Sequence, residues 1–319
     1  MTTGHNITID VGDGEHLAAT VHLPAGDSDS PGRVVAFGFP GGGLARGYFG
    51  VQFDEDDSYN QAAFHTARGW IFVACDHLGV GDSSQPDPAS LTYARLARAN
   101  DVAARRVVAD LREGTLLEGI GPVDVAFTVG LGHSMGGGIT IVTQGNHDTF
   151  DAVGVLGFSA LQTVIPTPEG RLAVDLQERD DPSGGLETSI ESAGGVGMFR
   201  WAFYREDVPA ALVDADMGSG YPRSAQPPPW GSATTPPVVF SMLSPGVVAG
   251  EAAAITAPVL VASGDRDVIP DLRSEPTAYR ACRDMTLTEI PGMAHMHNFA
   301  GTRVQLWDRL HRWVGAMVD

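Results

Sequence analysis

Apolar positions along this chain gather in short, nearly unbroken runs. Val34–Phe39, Trp70–Cys75, Val123–Leu131, Ala152–Phe158 and Pro258–Ala262 are each rich in Val, Ile, Phe and Ala. A run of that length without polar alternation is how a strand buried on both faces of a parallel sheet reads. Residues 6–10 and 16–23 differ, because polar and apolar positions roughly alternate there about Asp10–Gly14. That pattern predicts two strands joined by a turn, followed by a polar loop over Ala25–Gly32. Between the runs lie segments with helical spacing: Ser58–Arg68, Ala89–Arg112, Gly136–Gly145 and Thr302–Met317. Strands alternating with helices predict an α/β domain with helices on both faces of the sheet.

The rhythm breaks between Ser159 and Ile255. This stretch is rich in Pro, Gly, Ser and Asp, with an aromatic cluster at Met198–Tyr204. A loop that long without structure does not belong in a compact domain. It reads as an inserted cap with short helices near Val196–Tyr204 and Val208–Asp216. Residues 1–158 and 256–319 are then two parts of one core, and 159–255 is the cap. A chain of 319 residues, 43% hydrophobic and 18% charged, is long enough for that arrangement.

Charge narrows the partners. Thirty-nine acidic residues against 20 basic ones give a formal net charge of −19, and no basic residue is lysine. Such a surface is expected to repel nucleic acid and anionic membranes. Without lysine there is no Schiff-base chemistry and no P-loop lysine. Cys75 and Cys282 lie far apart and form no paired motif, which fits a reducing compartment. The first residues lack a basic start followed by an apolar run, and no stretch reads as a membrane span. A cytoplasmic protein, monomer or homodimer, is expected.

The sharpest candidate for chemistry is Gly132-His133-Ser134-Met135-Gly136. A G-x-S-x-G pentapeptide between a strand and a helix presents its serine on a tight turn. Serine needs a base, and the base needs an orienting carboxylate. In this kind of sheet the order is serine, acid, histidine. Asp265 and Asp267 follow the fifth apolar run, where side chains point into the ligand crevice. The base lies in the loop Pro291–Phe299, after a short strand at Thr286–Ile290; His295 is taken ahead of His297. The H-x-H pair has no third ligand at a metal spacing, so neither a metal nor a cofactor is expected. The first run ends in Gly38-Phe39-Pro40-Gly41-Gly42-Gly43, where backbone N–H groups can approach a substrate. The turn Asp76–Ser83 reads as structural support, with Asp76 tying loop amides together.

Together these pieces resemble the α/β-hydrolase superfamily. The resemblance rests on the glycine run, D-x-x-G-x-G-x-S at Asp76–Ser83, the G-H-S-M-G pentapeptide, G-x-x-D-x-x-P at Gly264–Pro270 and G-x-x-H at Gly292–His295. It covers nearly the whole chain outside the cap. It implies a mostly parallel sheet of about eight strands flanked by helices, with a mainly helical cap after the sixth strand. It also implies Ser134, Asp267 and His295 as a catalytic triad. Gly42 and Met135 become oxyanion donors, with Gly43 a possible further one. Many members carry His-Gly where this chain has Pro40-Gly41.

A serine at the elbow argues against epoxide and haloalkane hydrolysis and leaves carboxylic esters, lactones, thioesters, C–C bonds beside ketones, and acyl transfer. A small-molecule ester or lactone, largely apolar, is the expected substrate; a C–C hydrolase or acyltransferase is the alternative. Phe39, Leu161, Met198, Trp201 and Phe203 are candidate pocket residues, within a wider apolar set that includes Ile165, Phe199 and Met242. Two other classes compete. A dinucleotide-binding turn is disfavoured because Gly130, Gly132 and Gly136 have the wrong spacing. A non-catalytic binding protein on this fold would have no need of all three triad residues.

Overall fold

β1 (Gly4–Gly12) and β2 (Glu15–His22) form the expected antiparallel hairpin. They open an eight-stranded sheet in the order β1-β2-β4-β3-β5-β6-β9-β10. The others are β3 (Arg33–Phe39), β4 (Ile71–Cys75), β5 (Val125–His133), β6 (Ala152–Leu156), β9 (Val259–Arg266) and β10 (Met285–Ala294). From β4 to β10 every neighbouring pair is parallel. Their side chains are buried almost throughout, as strands with helices on both faces must be. β7 (Pro166–Thr167) and β8 (Gly170–Arg171) make a separate small hairpin. This computed structural model describes residues 4–25, 32–53, 58–172, 177–181, 196–218, 220 and 226–318. The loop predicted at Ala25–Gly32 lies mostly outside them.

Helix boundaries follow their caps. α1 (Gln61–Thr66) starts later than predicted because the Asn60 side chain accepts from the Ala63 amide at 2.8 Å. α2 (Tyr93–Glu113) starts at Tyr93, after the Thr92 cap, and ends at Gly114 with φ 71°. α3 (Met135–His147) begins directly after Ser134. The last helix covers Arg303–Val318. α2 packs on α3, and α1 on the last helix. None of the described helices is long and apolar enough to cross a membrane.

β9 and β10 both run further than the hydrophobic pattern predicts, through Ser263-Gly264-Asp265-Arg266 and through Pro291-Gly292-Met293-Ala294. Their parallel pairing extends from Met285↔Val259 to Ala294↔Arg266, with an irregularity after Ile290. Ladder hydrogen bonds outlast the apolar run here, because pairing needs the backbone and not the side chain. As a result Asp267 and His295 each sit one residue beyond a strand end, side by side.

The segment between β6 and β9 contains helices at Val196–Phe203, Ala210–Met217, Val238–Ser241 and Ala249–Ala254. It lies against the loops at the strand ends. Leu44 bridges to Gly231, the Ser232 amide donates to the Gly43 carbonyl, and Thr234 Oγ1 donates to the Gly79 carbonyl. At its start, buried Glu275 accepts from the Ser159 hydroxyl and from the Ala160 amide. Ser159 Oγ in turn accepts from the Leu161 and Gln162 amides. Burial pushes the Glu275 carboxyl above its ordinary range.

Replacing Glu275 with Ala leaves that hydroxyl and amide buried without an acceptor. The expected loss is about 3 kcal/mol of unfolding free energy. Glu275→Gln keeps an acceptor and is expected to lose clearly less. Urea unfolding of the two variants beside the parent chain measures both.

Candidate active site

β5 ends at His133, and the chain turns into α3 through Ser134 with φ 53° and ψ −123°. A non-glycine residue at positive φ is strained, and the surrounding glycines make the turn possible. A Cβ on Gly132 would meet the Gly136 carbonyl oxygen at 2.3 Å. One on Gly136 would meet the Phe39 carbonyl oxygen at 2.2 Å and that of Pro40 at 2.6 Å. The Ser134 amide donates to the Leu156 carbonyl of β6, which pins the turn to the sheet. Ser134 Oγ is thereby held at the sheet's C-terminal edge, with α3 starting beneath it.

Three side chains predicted from sequence meet there. His295 Nε2 lies 2.9 Å from Ser134 Oγ, and His295 Nδ1 lies 2.7 Å from Asp267 Oδ1. All three residues are buried. Asp267 Oδ1 also accepts from the Val268 amide, and Oδ2 from the Gly264 amide. His297 points to the same carboxylate, its Nε2 2.6 Å from Oδ2. Burial by itself would raise the Asp267 carboxyl, but His297 and His295 beside it hold it well below the usual carboxylate range. Asp265, the other acid weighed, instead accepts from the Met293 amide and pairs with Arg205. Chemically, the array lets His295 take the Ser134 proton while an anion stabilises the imidazolium.

The histidine loop is held from beneath. His133 Nε2 donates to the His295 carbonyl at 2.8 Å. Burial depresses His133 well below its ordinary value, with His295 and His297 adding to the effect, so it stays neutral. The Asn298 amide donates to Tyr48 Oη, its Nδ2 to the Tyr48 carbonyl, and Trp307 Nε1 donates to its Oδ1.

The glycine loop rests on a buried chain that the sequence reading did not find. Asn100 Nδ2 donates to His77 Nδ1 at 3.2 Å, so the His77 proton sits on Nε2, which donates to the Pro40 carbonyl at 3.2 Å. Burial lowers His77 to about 4. Asp76 does tie the neighbouring loops, accepting from the Arg46 and Asp82 amides and pairing with the Arg46 guanidinium. Gly42 lines the space beside Ser134, whereas the Gly43 amide donates to Thr235 Oγ1 at 3.0 Å. Met135, the first residue of α3, has an amide that no intrahelical carbonyl can reach.

Two small cavities adjoin Ser134. One, of about 40 Å³, is walled by Ile165, Phe199, Val239, Met242, Leu243 and Val268, with Thr163 at its edge. The other, of about 20 Å³, is lined by Leu44, Asp216, Met217 and Met296. Gly42, Ser134, Phe203 and His295 border both. A larger open cleft of about 610 Å³ lies at the far end of β5, around Thr128 and Asp151.

Of the five predicted pocket residues, only Phe203 is among these walls. Phe39 stands two residues after Phe37 on β3 and so on the same face, and both rings turn to Phe150 in the core. Leu161 and Met198 pack half-buried against the core. Trp201 lies under the Arg266 guanidinium, 4.4 Å from it, in a groove beyond the acid loop. The missed signal was helical spacing: Phe199 and Phe203 stand four apart and share a face, with ring centroids 5.3 Å apart.

A sequence profile described as the alpha/beta hydrolase family matches residues 34–304. The chain belongs to the alpha/beta hydrolase family. No curated protein sequence matches it. Solved structures with the same fold include a soluble variant of monoglyceride lipase from Saccharomyces cerevisiae, with TM-score 0.62, 16% identity, and 98% of this chain and 95% of that one covered. Proline iminopeptidase from Mycobacterium smegmatis gives TM-score 0.60 and 16% identity over 98% and 97%. Est816, described as an N-acyl homoserine lactone degrading enzyme, gives TM-score 0.60 and 16% identity over 96% and 99%.

His77 makes a pH dependence calculable. Its ordinary value is 6.5 and its folded value about 4. Between those limits the unfolded chain binds a proton that the folded chain does not, so stability falls as pH drops from 6.5 to about 4. The full difference corresponds to about 3 kcal/mol. His77→Gln is expected to flatten that part of the unfolding free energy against pH, measured by urea titration at several pH values.

Proposed function

We propose that this chain is a serine hydrolase that cleaves a carboxylic ester or lactone of a largely apolar small molecule through an acyl-enzyme. One observation carries the reading: Ser134 Oγ, His295 and Asp267 are joined at 2.9 Å and 2.7 Å at the end of the sheet. In this reading Ser134 is the nucleophile, His295 the general base and then acid, and Asp267 the group that orients His295. As Oγ attacks the carbonyl, its proton passes to His295 Nε2. The negative charge forming on the carbonyl oxygen is met by the Gly42 and Met135 amides. Gly43 is the weaker candidate, because Thr235 already takes its amide. His295 then protonates the leaving alcohol, and water releases the acyl group by the same steps.

The segment 159–255 acts as the cap over this site and selects the substrate. Its residues Phe199, Phe203, Val239, Met242 and Leu243 supply most of the apolar wall beside Ser134, which favours an uncharged substrate. A lactone-degrading enzyme and a monoglyceride lipase share the fold, so both bond types belong among the first substrates to test.

Ser134→Ala is expected to lower kcat/KM for p-nitrophenyl acetate by about a thousandfold or more and to abolish labelling by a fluorophosphonate probe. Near wild-type hydrolysis in that variant would sink the assignment. The apolar space walled by Phe199, Val239, Met242 and Leu243 beside Ser134 is small, which favours a short acyl chain. The acetate or butyrate ester is therefore expected to exceed the octanoate at least about tenfold in kcat/KM.

A further inference from the structure

His295 and His297 share one carboxylate, and the serine-hydrolase reading uses only the first. An ionised carboxylate offers about four lone-pair sites, and Asp267 has four donors. On Oδ1 are His295 Nδ1 and the Val268 amide, each at 2.7 Å. On Oδ2 are His297 Nε2 at 2.6 Å and the Gly264 amide at 3.1 Å. The two amides come from the acid's own side, Gly264 from the outer part of β9 and Val268 from the loop after it. The two imidazoles come from the facing loop, where the His297 amide donates to the His295 carbonyl and a single turn of 3-10 helix begins. That turn aims both rings at one group.

His297 is fully enclosed, lines neither cavity beside Ser134, and its Nδ1 has no partner among the described residues. The titratable groups around it are Asp267 from the loop after β9, His295 from its own loop, His133 from β5 and, against His133, Tyr48 from the loop after β3. Burial keeps His133 neutral and pushes the Tyr48 phenol far up, so Asp267 is the one anion His297 meets there.

We propose that His297 is a second positioning residue for Asp267, which fixes the carboxylate from its Oδ2 side and limits how tightly that carboxylate holds the His295 proton. The proposal rests on the serine-hydrolase reading. A hydrogen bond on Oδ2 draws negative charge away from Oδ1, and Oδ1 is what favours the imidazolium form of His295. The sign is the same whether His297 is neutral or cationic. Remove it, and Asp267 holds the His295 proton more strongly, so His295 works as a base only at higher pH. A base poised near the working pH is the efficient one.

The test is the pH profile of p-nitrophenyl acetate hydrolysis in wild type, His297→Leu and His297→Gln. In the leucine variant the acid limb of kcat/KM is expected to move up by about half to one pH unit. Its kcat falls with KM unchanged. The glutamine variant keeps an N–H donor and is expected to follow wild type. Should the leucine variant not fold, His297→Asn, whose amide is too short to reach Asp267, replaces it with the same expected shift. A donor-lacking variant that folds with its acid limb unmoved overturns the proposal. Proton NMR adds a readout independent of turnover: two far-downfield imidazole N–H resonances in wild type, one of which His297→Gln removes. A downfield spectrum identical in both also overturns it. If wild type neither hydrolyses esters nor takes the fluorophosphonate label, the serine-hydrolase reading fails and the proposal falls with it. An active wild type with an unmoved limb refutes the His297 proposal alone.

Discussion

The Asp267 carboxylate is the group on which the site depends. A buried carboxylate without partners would be too costly to keep ionised. Here two backbone amides and two imidazoles surround it. Those donors come from the outer part of β9 and from the loops after β9 and β10, so the ion joins two strand ends that ladder hydrogen bonds have already brought into register. His295 is then correctly turned towards Ser134 because its other nitrogen is committed. The strain at Ser134 is tolerated because Gly132 and Gly136 leave room for neighbouring carbonyls.

Other buried carboxylates do similar work at the margins of the site. In a chain with 39 acidic residues, those that are buried among the described residues are Asp76, Asp216, Asp267 and Glu275. Asp76 joins the Arg46 loop to the turn after β4. Asp216 accepts from Tyr204 Oη and Trp230 Nε1, tying three parts of the segment before β9 together. Glu275 holds that segment where it leaves β6. Acidity that reads in the sequence as a surface property is thus, at a few positions, the means by which loops are fixed.

Much of this was legible in the sequence. Unbroken apolar runs marked the parallel strands, and the order of Ser134, Asp267 and His295 along the chain matches their meeting in space. What escaped has physical reasons. The outer parts of β9 and β10 are held by backbone pairing, which composition does not register. His77 and Asn100 act through a contact between residues 23 apart in sequence, with no local spacing to betray it. The H-x-H pair was visible, but its second member was weighed only as an alternative base or a metal ligand, and not as a partner of Asp267. Pocket residues were drawn from apolar composition, and composition cannot tell Phe199, which faces Ser134, from Trp201, which faces away.

The contact between Gly136 and the carbonyls of Phe39 and Pro40 has an evolutionary consequence. It packs the start of α3 closely against the end of β3, so the parts that would handle the carbonyl oxygen form one frame inside the core. The apolar walls, by contrast, come mostly from a segment whose described polar links to that frame are loop hydrogen bonds. On the proposed reading, drift in that segment changes which molecules are admitted and leaves the frame untouched. A methyl group added at position 136 has no such latitude. Descendants of this chain would, on that reading, be free to diversify in diet while remaining nearly invariant at one buried glycine.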